Sequence, residues 1–178
     1  FTLKFPESYP FNNPEAKFET INKLIRFNPN LYECGKVCLS ILGTWSGPKW
    51  SSVQTLHSVL LSIQSLMNDQ PILNEPQYDN VGKNDKRSID YNKYIEFHKY
   101  EFAIHDMLND EEFFPYFNEV IQSYFIKNYD RLIAKLDKLK SMDGQIVKTF
   151  LWNRSVELDY VNLIEKYKKL YDKLKVKS

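Results

Sequence analysis

Phe27-Asn28-Pro29-Asn30-Leu31-Tyr32-Glu33-Cys34-Gly35-Lys36-Val37-Cys38-Leu39-Ser40-Ile41-Leu42, followed by Gly43-Thr44-Trp45-Ser46-Gly47-Pro48-Lys49-Trp50, gathers turn formers, thiols, side-chain amides and tryptophans into one stretch. Pro29 fixes its own φ and pushes Asn28 out of the helical region, and asparagine tolerates unusual backbone angles. Asn28-Pro29-Asn30 therefore reads as a turn. Glu33-Cys34-Gly35 reads as a second turn, because glycine takes positive φ freely. Cys38 lies three residues past Gly35, where the apolar run Leu39, Ile41, Leu42 begins. A thiol between a turn and a buried segment is expected to be half exposed, as a nucleophile requires. Spacing alone leaves two readings open: a nucleophile with an amide nearby, or a small buried hydrophobe, the usual fate of a free cysteine.

The run Asn28-Pro29-Asn30-Leu31-Tyr32 through Gly35-Lys36-Val37-Cys38-Leu39-Ser40-Ile41-Leu42 resembles the active-site segment of ubiquitin-conjugating enzymes, which carry His-Pro-Asn and a catalytic cysteine eight residues after the Asn. Asn30 and Cys38 stand at that separation. The resemblance extends back through Phe5-Pro6-Glu7-Ser8-Tyr9-Pro10-Phe11-Asn12-Asn13-Pro14 and forward through Trp50-Ser51 and Val59-Leu60-Leu61-Ser62-Ile63-Gln64-Ser65-Leu66. Within the family the chain looks most like the conjugating domains of large hybrid conjugating enzyme–ligases of the BRUCE/Apollon type. Asn28 in place of the histidine, the lengthened Gly43–Trp50 loop and Asn74-Glu75-Pro76 before a long helical tail carry that likeness.

The resemblance implies an α+β fold, an antiparallel meander sheet packed by helices. It implies a conjugating core over 1–110 and a C-terminal helical hairpin extension over 111–178. The family's first helix and strand are missing ahead of Phe1, so more chain is expected upstream. At 178 residues and a net charge of +1, the balance of charge gives no reason to expect nucleic acid or an anionic membrane as partner. Two cysteines four residues apart suit a reducing compartment rather than a disulfide framework. No apolar run reaches the ~18–20 residues of a membrane span.

Phe1–Phe5 and Ala16–Ile21 alternate apolar and polar residues, as half-buried strands do. Ser51 with Gln54 reads as a capping box for a helix whose inner face is Val53, Leu56, Leu60, Ile63 and Met67. A second helix is expected over Tyr91–Leu108. His57 has no partner carboxylate close in sequence, and His98 and His105 are too far apart for a one-turn metal pair, so no metal is expected. From Phe113, Ile121, Phe125, Tyr129, Leu132, Leu136 and Leu139 keep a three/four rhythm. Gly144 breaks it, and Val156, Tyr160, Leu163, Tyr167, Leu170 and Leu174 resume it. This predicts an antiparallel helical hairpin, packed on itself or serving as a docking or homo-oligomerising arm.

By resemblance, Cys38 is the nucleophile that takes ubiquitin as a thioester from the activating enzyme and passes it to a lysine of a protein substrate. Asn30 stabilises the oxyanion or braces the loop. Asn28 and Pro29 hold the turn. One of the pair Asn74 and Glu75 resembles the lysine-orienting position, where the family's acid would help deprotonate the amine; Asn74 stands nearest, an amide is a poor base, and Asp69 and Asp79 are further nearby acids. Ser40 occupies the place where many members carry Asp. Phe11, Trp50 and Ser51 are expected to face partners, a ubiquitin ligase among them. No cofactor is implied, since the thioester carries the energy. The implied location is cytoplasmic or nuclear, and a built-in ligase character is suggested by the hybrid relatives. The rival expectation is a non-catalytic ubiquitin-binding or interaction module that works through the helical tail.

Overall fold

Thr2-Leu3-Lys4 and Glu15-Ala16-Lys17 each flank one apolar residue with polar ones, and the computed structural model pairs them as β1 (Thr2–Lys4) and β2 (Glu15–Lys17), antiparallel, with Leu3 opposite Ala16. The structure describes residues 1–20, 22, 24–110, 112 and 115–177, and of Lys177 only the backbone. Ile21, the end of the expected second strand, and Phe113, the expected start of the tail, lie outside the described residues. Among the described residues the sheet continues through isolated bridges, Lys17 with Lys36 and Leu31 with Val37, so the meander is short-stranded there. The chain forms two compact units, Phe1–Asn92 and Lys93–Ser178, whereas the sequence reading divides it at 110/111.

In the first unit, Leu31, Val37, Leu39, Ile41 and Leu42 from the quoted stretch pack with Val59, Ile63 and Leu66, margined by Leu3, Ala16, Phe18 and Trp50. Helix α1 (Leu56–Ser65) starts later than the sequence suggests. Ser51 and Gln54 do bond reciprocally, Ser51 N–H to Gln54 Oε1 at 2.9 Å and Gln54 N–H to Ser51 O at 2.9 Å, but they close a separate turn. Thr55 is the N-cap, its N–H donating to Ser58 Oγ at 3.3 Å. The buried face is Val59, Ile63 and Leu66, so of the expected face Ile63 is buried while Val53 is 87% exposed and Leu60 47%. Both stripes have helical period, and periodicity alone does not select between two apolar faces of one helix. Beyond α1, a 3₁₀ turn (Pro71–Asn74) is anchored by buried Pro71 and Ile72.

Helix α2 (Lys86–His98) runs on as a π-helical stretch (Lys99–Asp106) and the short α3 (Met107–Asn109). Within the second unit, α4 (Asn118–Leu139) and α5 (Tyr160–Lys177) pack through Phe125 against Tyr167 and Tyr129 stacked on Tyr171 at 4.0 Å. Tyr160, Leu163, Tyr167, Leu170 and Leu174 are all buried, and Tyr167 donates its hydroxyl to Tyr100 O at 2.6 Å. Asp143 Oδ1 accepts from Val161 N–H, so the turn after α4 caps the start of α5.

The break at Gly144 (φ 72°) is more than a helix-to-helix turn. It opens a β-hairpin of β3 (Ile146–Lys148) and β4 (Ser155–Glu157), which removes Val156 from the helical seam. Its Ile-Val-Lys and Ser-Val-Glu triplets are too short for a period of two to stand out beside the long helices. No helix of the described residues is long and apolar enough to cross a membrane.

Ile63→Ala should cost about 2–5 kcal/mol, the usual penalty for emptying a buried aliphatic site. Leu60→Ala should stay within roughly 0.5 kcal/mol, as most exposed positions do. Urea denaturation of the two variants separates the two faces. Burial also pushes the Tyr100 phenol up to about 12, with the Glu96 carboxylate adding to the effect, and raises Tyr160 and Tyr167. A folded pKa above the unfolded value of about 10 gives stability that is intact below pH 10 and lost as pH climbs through the folded values. Phenolate absorbance followed with far-UV circular dichroism should therefore show these tyrosines ionising together with unfolding.

Candidate active site

The turn Asn28-Pro29-Asn30 forms because its three carbonyls and both side-chain amide nitrogens find partners. Leu31 N–H closes it on Asn28 O at 2.9 Å, and Asn30 N–H bends to Asn28 Oδ1 at 2.8 Å, an Asx turn. The Arg26 guanidinium donates to Pro29 O and lies 3.8 Å over the Tyr32 ring. Downstream, Tyr32 N–H to Lys36 O and Gly35 N–H to Tyr32 O tighten a hairpin that sets Leu31 against Val37. Gly35 has φ 92°, and a Cβ there would meet Lys17 Cγ at 2.9 Å and Phe18 O at 3.0 Å, so this turn requires glycine.

The register of that hairpin explains the eight-residue spacing. With Leu31 opposite Val37, Asn30 falls opposite Cys38 as a hydrogen-bonded pair. One rung is ordinary, Cys38 N–H to Asn30 O at 2.8 Å. The Asn30 N–H, which would make the other, is committed to Asn28. The Asn30 side chain takes its place, Nδ2 donating to Cys38 O at 2.9 Å. The amide therefore clasps the peptide of the cysteine.

Asn28 is buried, 1% exposed, and bonded on three sides. Its Nδ2 donates to Leu66 O at 2.8 Å, satisfying a carbonyl that the end of α1 leaves without an intrahelical partner. Its Oδ1 accepts from Asn30 N–H and from Asn74 Nδ2, the latter at 3.3 Å. The structure thus brings together Asn28, Pro29, Asn30, Cys38 and Asn74. Sequence reading missed the Leu66 carbonyl and Arg26, neither of which carries a motif of its own.

Cys38 differs from expectation in exposure. It is 1% exposed, while Cys34 in the preceding turn is exposed. The missed element here is Thr44. Its hydroxyl accepts from Leu39 N–H at 3.0 Å and donates to Val37 O, and its N–H reaches Leu39 O at 3.2 Å. Gly43 (φ 67°) ends the 3₁₀ turn Ser40–Leu42 and lets the loop fold back on Val37–Ser40, the segment that holds Cys38. Trp50 Nε1 donates to Pro10 O at 2.7 Å, and its ring lies 5.9 Å from Tyr9, so it holds the proline-rich loop. Phe11 on that loop is 79% exposed, and Ser51 is exposed.

Of the acids weighed from sequence, Glu75 directly follows Asn74 and gives its N–H to Ile72 O at 3.1 Å. Asp69 pairs with Lys83, whose ammonium holds its carboxyl below the usual range, and Asp79 is exposed. His57 is exposed, and His98 and His105 face Glu101 and Asp106 in their own helix. Among the described residues, no cluster of three or more His, Cys, Asp or Glu is arranged to hold a metal.

A ubiquitin-conjugating enzyme family model matches residues 1–99. The chain is 35% identical over 179 residues to "Ubiquitin-conjugating enzyme E2 Z" of Xenopus tropicalis, covering 99% of this chain and 57% of that protein. It is 38% identical over 167 residues to the protein of the same name from Homo sapiens, covering 92% of this chain and 47% of that one. A "Probable ubiquitin-conjugating enzyme protein 17" of Caenorhabditis elegans is 41% identical over 132 residues, 70% of this chain and 18% of that protein. The chain spans about half the length of the E2 Z relatives it matches. Motif, register and matched length agree: the chain belongs to the ubiquitin-conjugating enzyme family.

Proposed function

We propose that this chain carries the conjugating step of a ubiquitin-conjugating enzyme, with Cys38 as the acyl carrier. The observation that carries the reading is the clasp of Asn30 on the Cys38 peptide, which fixes the thiol and an amide donor on one rigid hairpin. As thiolate, Cys38 attacks the thioester between the activating enzyme and the carboxyl terminus of ubiquitin, and the activating enzyme's thiolate leaves. A substrate lysine, as free amine, then attacks the new thioester. Its proton passes to solvent or a nearby base, and the Cys38 thiolate leaves as the isopeptide bond forms. An amide nitrogen carries two hydrogens. In this reading one Asn30 N–H keeps the cysteine carbonyl, and the other meets the oxyanion. No cofactor takes part.

A buried nucleophile reacts only when its cover moves. The fold-back of Gly43–Pro48, held by Thr44, is the cover this reading assigns to Cys38. Exposed Phe11, positioned by the Trp50 bond to Pro10, together with Trp50 and Ser51 forms the surface offered to a ubiquitin ligase. The ligase character of the hybrid enzymes belongs to the same reading, supported by Asn28, the lengthened loop and the helical tail. So do a cytoplasmic or nuclear location and pairing of two copies through α4 and α5. The burial of Cys38 favours a second reading, a non-catalytic module of the same fold.

Incubation with activating enzyme, ATP and ubiquitin should give a reductant-sensitive adduct that Cys38→Ser abolishes and Cys34→Ala leaves intact. Its absence from the unmodified protein supports the module instead. Asn30→Ala should still charge but discharge to lysine about 100-fold more slowly, the loss typical of an oxyanion donor. In thiol titration Cys34 should react first, and Thr44→Val should speed labelling of Cys38; an unchanged rate would remove the loop as its cover.

A further inference from the structure

The orientation of the Asn28 amide is fixed by two backbone groups that have no choice of role. Leu66 O can only accept, so the atom 2.8 Å from it must be the Asn28 nitrogen. Asn30 N–H can only donate, so the atom 2.8 Å from it must be the Asn28 oxygen. Ring or amide flips, the usual ambiguity of such groups, are therefore excluded. The second contact of that oxygen is the Asn74 side chain at 3.3 Å. Whatever stands at 74 faces a buried acceptor and has to donate. Asparagine does so through Nδ2; a carboxylate cannot.

The backbone of Asn74 is not free to carry the side chain elsewhere. It ends the Pro71–Asn74 3₁₀ turn, whose Ile72 is fully buried, with Glu75 N–H bonded to Ile72 O at 3.1 Å. Upstream, Asn92 Nδ2 holds Asp69 O at 2.9 Å. The contact thus ties a rigid turn beyond α1 to the hairpin that bears the thiol.

We infer that Asn74 is a positioning residue: as a hydrogen-bond donor to Asn28 it steadies the Asn28–Asn30–Cys38 chain of bonds, and asparagine at 28 makes an acid at 74 counterproductive. This rests on the reading of Cys38 as carrier and changes the role expected of Asn74. Its amide is committed to the loop rather than aimed at an incoming lysine. An acid placed here would lose the bond to Asn28 Oδ1 and weaken the support behind the Asn30 clasp.

The test uses Asn74→Asp and Asn74→Ala in the protein charged with ubiquitin, discharged to free lysine in single turnover. Asn74→Asp should slow discharge roughly three- to tenfold, the scale of one neutral hydrogen bond, and Asn74→Ala by no more than that. If Asn74→Asp instead speeds discharge, the side chain works on the lysine and the inference is overturned. Melting supplies a readout that does not depend on the reaction. The introduced carboxylate faces an oxygen, so its charged form is disfavoured in the fold and its pKa is raised. Its contribution is best preserved below the unfolded value of about 4 and is lost as pH rises. The melting gap between Asn74→Asp and the unmodified protein should therefore widen from pH 4.5 to pH 7, while that of Asn74→Ala stays level; parallel gaps would also overturn it. Failure of the unmodified protein to charge at Cys38 would sink the carrier reading and leave the melting comparison decisive for the contact.

Discussion

The first unit depends on a substitution within a β-ladder: a side-chain amide occupies the rung that a backbone N–H would ordinarily fill. Asn30 gives its own N–H to Asn28 and its Nδ2 to Cys38 O, so the turn and the ladder share one residue without leaving either incomplete. In a buried site this matters doubly, because an unpaired carbonyl at Cys38 or Leu66 would cost about 1–3 kcal/mol. Leu31 and Val37, between the two bonded pairs, send their side chains into the core, so the same register that brings Asn30 to Cys38 also seats the hydrophobic cluster. Packing and chemistry are specified by one hairpin.

Much of this was legible in the sequence because the residues involved have few alternative uses. Asn-Pro-Asn and Glu-Cys-Gly are turns on local chemistry alone, and their spacing set Asn30 and Cys38 near each other before any fold was known. The role of Asn28 was legible as a turn holder, but not its third bond, since Asn74 lies 46 residues away. Exposure of the thiol was misjudged: Cys38 is 1% exposed, in a segment whose Val37 O and Leu39 N–H are held by Thr44 from beyond the Gly43 turn. Position in a chain says little about what folds back over it.

The helices show the same division. Period alone identified α1, α4 and α5, since amphipathic stripes of this length have few competing explanations. On the inner face of α1 it placed Ile63 but missed Val59 and Leu66, because Leu56, Leu60 and Met67 also fall at helical spacing. It also failed at Gln145–Leu158, where two three-residue strands carry too little pattern to register. In both cases tertiary pairing chose among options that local sequence left equivalent.

The glycine at position 35 has a consequence for how such a chain can diversify. Between Asn30 and Cys38 the strand register allows no change of length, since one added residue would turn the sulfur to the opposite face of the hairpin, and the crowding of Lys17 and Phe18 against Gly35 admits no bulkier turn. Past Leu42 no ladder constrains the count. Variation in loop length is thereby channelled to one flank of the thiol, leaving the upstream side as a fixed ruler and the downstream side as the part free to acquire new recognition.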